Sequence, residues 1–278
     1  MNINSLVVQS VPSAQEFRCF RNRFPLLFRH EFADRIDGDL TRGLSEDALS
    51  GAVDVLQSND NRQFLKHELT YSLSLPLGKA VESILGDAHP RTDAKKSYLR
   101  VYQDAAPAAW VEATRPVLTT LQHLVSLAED DSPHAFKPFK PANVGMWISS
   151  AGCETPLHFD LCHGFLHQVH GEKTFLLCHP RDAPYLYWDQ RGSSASKNRT
   201  TSPVDLPRWL DGDAEQRHAF PHVDNCTFYE ARLSPGLTLY TPPGWWHAVR
   251  SVSSSVSLLA PFDPRPDLEA LPSNVLLA

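Results

Sequence analysis

The chain has 278 residues, 26 of them basic and 32 acidic, and its net charge of −6 gives no electrostatic case for a nucleic-acid partner. Its length suffices for one large β domain or one domain with an appendage, and no apolar run approaches the roughly 18 residues that span a membrane. Five cysteines without a CxxC pair, in a chain that lacks a signal-peptide pattern, predict reduced thiols and a cytoplasmic location.

The first part of the chain, residues 1–95, is predicted to be a mainly helical region. Ser13-Ala14-Gln15-Glu16 matches the capping box that opens a helix, and phenylalanines follow at helical spacing. A second helix is predicted to begin near Ser45 and to extend to about Leu56. A third is predicted from Leu77 to Leu85, before a glycine that suits a helix end.

From Ser97 onward the apolar period changes to that of strands. Ser97–Gln103 is predicted to be a strand, and Pro116–Ala128 a helix. Short strands separated by Gly and Pro corners then predict a mainly β fold, a double-sheet jelly roll of the cupin type, over residues 96–264, with the helical region packed on it and a tail at 265–278. The eight predicted strands are Val144–Ser149, Pro156–Leu161, Phe165–His170, Lys173–Cys178, Thr227–Leu233, Leu237–Tyr240, His247–Val252 and Ser255–Leu259.

One connection, residues 179–226, is far longer than the others. Connections of this length inside a compact domain are usually functional or disordered. We predict a lid over the mouth of the barrel, with a disordered insertion as the alternative.

The motif Thr155-Pro156-Leu157-His158-Phe159-Asp160 carries an imidazole and a carboxylate two residues apart. On a strand, those two side chains leave the same face. A second imidazole would complete a 2-His-1-carboxylate face for a metal ion, and His247, after a Pro-Pro-Gly turn, offers one. A histidine and an acid on a strand also occur for solubility or a local hydrogen bond, and a histidine beside two tryptophans is commonly only packed at a barrel rim.

Lys173 follows on a predicted strand, on the same face as Phe175 and Leu177. Its ammonium group could pair with the carboxylate of an anionic cosubstrate such as 2-oxoglutarate, or the residue could be a lysine that protects a sheet edge. Thr155 and Tyr98 could supply hydroxyl donors to the same carboxylate, or be ordinary strand residues.

The stretches TPLHFD, FLHQVHGEKTFLL and SPGLTLYTPPGWWHAV resemble the JmjC and cupin-like family of Fe(II)/2-oxoglutarate oxygenases. Within it they are most similar to the branch containing the asparaginyl hydroxylase that inhibits hypoxia-inducible factor, over about residues 97–262. The resemblance implies a non-haem iron site with 2-oxoglutarate and O2 as cosubstrates. It assigns His158, Asp160 and His247 to Fe(II), and Lys173, Thr155 and Tyr98 to 2-oxoglutarate.

The implied activity is hydroxylation of a C–H bond in a peptide side chain or an amino-acid-like metabolite, with succinate and CO2 as coproducts. Because Asp160 retains its carboxylate, hydroxylation is favoured over halogenation, while demethylation remains open. Two alternatives stand beside it: a metal-binding cupin with a non-oxidative or cosubstrate-independent reaction, and a binding protein without turnover. Tyr102, Trp188 and Arg191 are candidate substrate contacts.

Two departures from that branch are visible. It tends to carry a cosubstrate-binding asparagine near the position of Leu259, where this chain is apolar. The chain also ends at Ala278, before the helix pair by which that hydroxylase dimerises, so dimerisation by that route is not expected and the oligomeric state is left open.

Overall fold

Two β-sheets form the fold in the computed structural model, which describes residues 1–30, 45–58, 70–86, 95–127, 139–188 and 200–262. The smaller sheet has the order β1-β11-β10-β13-β8, and the larger has the order β2-β3-β12-β9-β14-β7-β6-β4-β5. The strands are β1 Asn2–Ser5, β2 Val8–Ser10, β3 Leu26–Arg29, β4 Ala52–Ser58, β5 Thr70–Pro76, β6 Ser97–Tyr102, β7 Gly145–Ser149, β8 Glu154–Phe159, β9 His163–His170, β10 Lys173–Cys178, β11 Thr227–Leu233, β12 Leu237–Thr241, β13 Trp246–Ser251 and β14 Ser255–Phe262.

Helices cover the outer faces of both sheets. Helices α1, α3 and α4 contribute to the apolar core against the larger sheet, whereas α5 and two 3₁₀ helices pack on the smaller one. The mainly β jelly-roll prediction is confirmed. No helix in the described part of the chain has the length and apolar character needed to cross a membrane. The helices are α1 Ala14–Phe20, α2 Glu46–Ser50, α3 Leu77–Leu85, α4 Ala108–Leu127, α5 Leu206–Leu210, α6 Ala214–Ala219 and the 3₁₀ helices Pro180–Leu186 and Pro221–Asn225.

The space between the sheets holds an apolar cluster with a polar cavity beside it. In the apolar cluster, Phe175 and Leu177 of β10 pack with Leu237 and Leu239 of β12. Burial of each such side chain stabilises the fold by about 1.5–3 kcal/mol. Alternation along β10 places Lys173 on this same inward face, where it lines the cavity. The sheets are therefore held together by apolar packing near β10 and β11, which leaves room for a cavity next to β8 and β13.

The prediction of a mainly helical N-terminal region is wrong for the described residues, which hold β1 to β5 beside three short helices. The capping box is confirmed: the Ser13 hydroxyl accepts from the Glu16 N–H, and the Glu16 carboxylate accepts from the Ser13 N–H. The helix at Ser45 stops at Ser50, however, and the following residues form β4, which pairs with both β5 and β6. Pairing with distant strands overrides the helical apolar spacing there.

Helix α4 begins at Ala108 and contains Pro116, which the sequence predicted as its first residue. Proline favours the first helical turn, so a start at Pro116 was the local expectation. The earlier turns persist because Trp110 is buried in the core against the larger sheet. Tertiary packing thus offsets the loss of the backbone hydrogen bond that Pro116 cannot donate.

The described parts of the 179–226 connection are folded and pack on the outer face of the smaller sheet. Thr200 returns alongside β8, where its carbonyl oxygen accepts from the Phe159 N–H at 3.0 Å. Residues 189–199 lie outside the described residues, as does the predicted tail at 265–278. The lid and the tail therefore stay predictions.

Candidate metal centre and cofactor cavity

The two histidines of the predicted triad are neighbours across adjacent strands. β8 and β13 are antiparallel, and His158 lies directly opposite His247 in their register. Their ring centroids are 4.1 Å apart, and both residues line the polar cavity between the sheets. The cross-strand pairing brings together two imidazoles that are 89 positions apart in the sequence.

Asp160 lies just beyond the end of β8, where its backbone carbonyl accepts from the Gly244 N–H at 2.9 Å. That bond ties the residue to the turn that leads into β13. The Asp160 carboxylate comes within 3.7 Å of His247 Nε2. Ligand atoms of His158, Asp160 and His247 all lie within 4.8 Å of one another, so the predicted triad assembles.

Each imidazole has its Nδ1 atom held by a backbone carbonyl. Nδ1 of His158 is 2.8 Å from the Pro156 oxygen, and Nδ1 of His247 is 3.0 Å from the Trp245 oxygen. Because a carbonyl oxygen only accepts, Nδ1 carries the proton and each Nε2 presents a lone pair. Burial, together with the neighbouring His247, lowers the pKa of His158 to about 4, which keeps this ring neutral near pH 7. Two imidazole nitrogens and one carboxylate are a donor set that fits Fe(II).

A cavity of about 470 Å³ extends from the triad between the two sheets. Lys173 lines it with only 4% of its surface exposed. Burial lowers the pKa of Lys173 to about 8, so its ammonium still carries a proton near pH 7. Among the described residues, no acceptor lies within hydrogen-bonding distance of this ammonium. A buried, charged and unpaired amine facing a cavity calls for an anionic ligand.

Thr155 and Tyr98 line the same cavity as the triad and Lys173. A register shift in the β8–β13 pairing places Thr155 opposite Val249, so a bulge at Pro156 and Leu157 brings Thr155 to the face that His158 occupies. Tyr98 comes from β6 of the larger sheet. Both residues are thus on the cavity wall, and the site as a whole fits a metal ion with a dianionic cosubstrate.

Leu259, near which the resemblance implies an asparagine, also lines the cavity. Its apolar side chain supplies no hydrogen bond, so the polar contacts to a cosubstrate fall to the other wall residues.

Sequence reasoning missed several residues of the cavity wall. The Arg100 guanidinium lies over the rings of Trp147, at 5.5 Å, and Tyr102, at 5.9 Å. Arg100 shares strand parity with Tyr98, a signal that was available in the sequence. Tyr102, a candidate substrate contact, lines the cavity, and Cys153, Cys162 and Trp147 complete this part of the wall.

Trp188, another candidate substrate contact, lies elsewhere. Its ring packs against Phe159 and Trp246 on the outer face of the smaller sheet, so that prediction is wrong. Arg191 lies outside the described residues.

This fold defines a cupin-type barrel with a candidate metal site. Residues 16–267 match the family described as the cupin-like domain, and the chain belongs to that family. Jumonji C domain-containing protein 5 of Drosophila melanogaster is 32% identical over 133 residues, covering 48% of this chain and 29% of that protein.

Two further relatives match at comparable identity. Lysine-specific demethylase JMJ30 of Arabidopsis thaliana is 34% identical over 119 residues, covering 42% of this chain and 25% of that protein. tRNA wybutosine-synthesizing protein 5 of Mus musculus is 29% identical over 199 residues, covering 70% and 56%. The chain therefore spans between a quarter and just over half the length of these three relatives.

Proposed function

We propose that this protein is an Fe(II)- and 2-oxoglutarate-dependent dioxygenase that hydroxylates a C–H bond of a peptide side chain or an amino-acid-like metabolite. The observation that carries the proposal is the pairing, in one cavity, of a 2-His-1-carboxylate triad with the buried, unpaired ammonium of Lys173. The similarity to JmjC-domain proteins, and the motif resemblance to the asparaginyl hydroxylase branch, support the same reaction class.

The residues of the chain divide the work between metal and cosubstrate. His158, Asp160 and His247 would hold Fe(II) through two nitrogens and one oxygen. Lys173 binds the distal carboxylate of 2-oxoglutarate, and the hydroxyls of Thr155 and Tyr98 donate to that carboxylate. When bound, iron and 2-oxoglutarate use O2 to supply the oxidising chemistry, with succinate and CO2 as coproducts.

The cavity wall favours hydroxylation over demethylation of a methylated amine. A methylammonium substrate would use the faces of aromatic rings near the metal. In this chain the Arg100 guanidinium already lies over the rings of Trp147 and Tyr102, and its positive charge would repel such a substrate. A neutral or acidic side chain experiences no such repulsion.

Product analysis tests the proposal directly. Purified protein would be supplied with Fe(II), ascorbate, 2-oxoglutarate and O2, and a panel of peptides and metabolites would be searched by mass spectrometry for a gain of one oxygen atom. We expect succinate to form in step with the oxygenated product, and His158→Ala to abolish both while retaining a folded barrel.

The alternatives give different results in the same assay. Turnover of a substrate without 2-oxoglutarate would indicate a non-oxidative cupin. Formaldehyde release would indicate a demethylase. Protein that fails to bind Fe(II) in the presence of 2-oxoglutarate would be a binding protein, and the dioxygenase proposal would be abandoned.

A further inference from the structure

Three metal-ligating side chains meet on the outer face of the smaller sheet, outside the cofactor cavity. Cys178 is the last residue of β10, and Cys226 immediately precedes β11. Asp182 lies in the 3₁₀ helix Pro180–Leu186 that follows β10. Their sulfur and carboxylate oxygen atoms all lie within 4.8 Å of one another. All three side chains are buried, with at most 7% of the residue surface exposed.

The contacts within this cluster position the carboxylate towards the thiols. Asp182 Oδ2 accepts from the Cys178 thiol at 3.4 Å and from the Thr227 N–H at 3.3 Å. Its other oxygen, Oδ1, is 3.7 Å from Nε of Arg181. The guanidinium of the exposed Arg181 thus faces the buried carboxylate of Asp182.

We propose that Cys178, Asp182 and Cys226 form a second metal site, which binds one Zn²⁺ ion. Zinc takes thiolate sulfur at about 2.3 Å and carboxylate oxygen at about 2.0–2.2 Å, so its donors lie roughly 3.5 Å apart around a tetrahedron. The observed cluster needs only small side-chain shifts to reach that spacing. Three protein ligands leave the fourth position for a water molecule or a backbone carbonyl.

Charge balance favours binding of Zn²⁺ at this buried cluster. Binding of one Zn²⁺ releases two protons, one from each thiol, so the total charge of the cluster is the same before and after. The Asp182 carboxylate stays opposed by Arg181 throughout. The burial cost that penalises an isolated ion is therefore largely avoided.

The position of the site gives it a structural role. Its ligands come from both ends of the long 179–226 connection, so the ion would pin those ends to each other where β10 ends and β11 begins. Cys178 lies opposite Trp246 in the β10–β13 register, next to the triad residue His247. Zinc would thereby stabilise the sheet that carries the triad. This site does not depend on the reaction proposed for the cavity.

Cobalt titration of the His158→Ala protein tests the site, because this variant removes the competing triad and keeps all cysteines. The full chain, reduced and freed of metal, would be titrated with Co²⁺ and then with Zn²⁺. We expect one Co²⁺ per chain with the near-ultraviolet absorption of a thiolate-to-cobalt transition, and its loss on addition of one equivalent of Zn²⁺.

Two matched double variants in the same background locate the thiols. Cys178→Ser with Cys226→Ser should lose the thiolate absorption, whereas Cys153→Ser with Cys162→Ser, which alters the two cavity cysteines, should retain it. Asp182→Asn should weaken Zn²⁺ binding by at least about tenfold, since even outer-shell partners contribute 10–100-fold.

The titration of His158→Ala is decisive without the cysteine variants, so their misfolding would not obscure the result. Absence of the thiolate absorption in that protein would overturn the proposal. So would absorption that persists after both Cys178 and Cys226 are replaced. A Cys178–Cys226 disulfide in protein that takes up no Co²⁺ once reduced would show instead that the pair is an oxidisable dithiol.

Discussion

Two regions of this molecule each bring a pair of histidines together, yet only one of them is built to bind a ligand. His158 and His247 face the cavity between the sheets, beside Asp160. His30 and His167 lie on the opposite, helix-covered side of the larger sheet, with ring centroids 5.4 Å apart. Burial lowers the pKa of His30 to about 4 and that of His167 to about 3, much as it does for His158.

The pairs differ in what their nitrogens contact. In the cavity pair, each Nδ1 is held by a backbone carbonyl. The ligand atoms of both rings lie within 4.8 Å of the Asp160 carboxylate. In the other pair, His167 bonds to the Thr238 hydroxyl, and neither nitrogen of His30 has a hydrogen-bond partner among the described residues. A histidine whose pKa is lowered by burial therefore occurs in both pairs, whereas convergence of two oriented imidazoles with an acid distinguishes the candidate metal site.

The largest expected effect comes from replacing one histidine in each pair and comparing the two losses of activity. His247→Ala should lower 2-oxoglutarate turnover at least about 100-fold, because removing a metal ligand costs more than removing an outer-shell partner. His167→Gln, the matched change in the other pair, should leave turnover within about twofold of the native rate once its folded fraction is accounted for. Succinate formation measures both. Equal losses of succinate formation in the two variants would contradict the assignment of His247, and not His167, to the metal site.

Removing the positive charge of Lys173 from the cavity should have the next largest effect. Lys173→Met should weaken 2-oxoglutarate binding by about 10–100-fold, since hydrogen bonds to charged groups contribute about 1.5–3 kcal/mol. Calorimetry with Mn²⁺ in place of iron measures binding without turnover. Lys79→Met, at an exposed lysine of α3, is the control and should bind normally.

The same lysine predicts a pH dependence. Its pKa of about 8 means that the native protein should lose affinity for 2-oxoglutarate as the pH rises above 8, where the free ammonium loses its proton. Affinity that stays constant up to pH 10 would place the cosubstrate carboxylate on another residue.

His30 should affect the pH dependence of the free energy of unfolding and not the enzymatic activity. Its pKa is about 4 in the folded protein and about 6.5 in an unfolded chain, so the unfolded chain takes up the proton first as the pH falls. This histidine therefore costs about 2 kcal/mol of stability at pH 5 relative to pH 8, a loss that is complete below pH 4. In urea unfolding at both values, His30→Leu should lose less stability on acidification than the native protein. An unchanged pH dependence would mean that this histidine is not buried.

The smallest expected effect is at Thr155, which the bulge in β8 brings to the cavity face. Thr155→Val keeps the shape and removes the hydroxyl, so the KM for 2-oxoglutarate should rise about three- to tenfold with kcat little changed. A fall in kcat with KM unchanged would assign Thr155 to the primary substrate instead.

Much of the cavity was predictable from local sequence. The alternation in β10 placed Lys173 inward, and the His158-x-Asp160 spacing, with His247 after a Pro-Gly turn, pointed to one metal face. β10 and β11 have the bounds that were predicted for them, because their period and their Gly and Pro boundaries are local properties.

Other features arise only when distant segments meet. The N-terminal strands exist because β1 pairs with β11 and β4 with β6, partners that no local period reveals. The bulge that turns Thr155 inward depends on the pairing of β8 with β13, and Cys178 and Cys226 become neighbours only because the long connection between them folds back. Local sequence determines the direction of a side chain within its own strand, whereas long-range hydrogen bonding and core packing decide which strands meet and in what register.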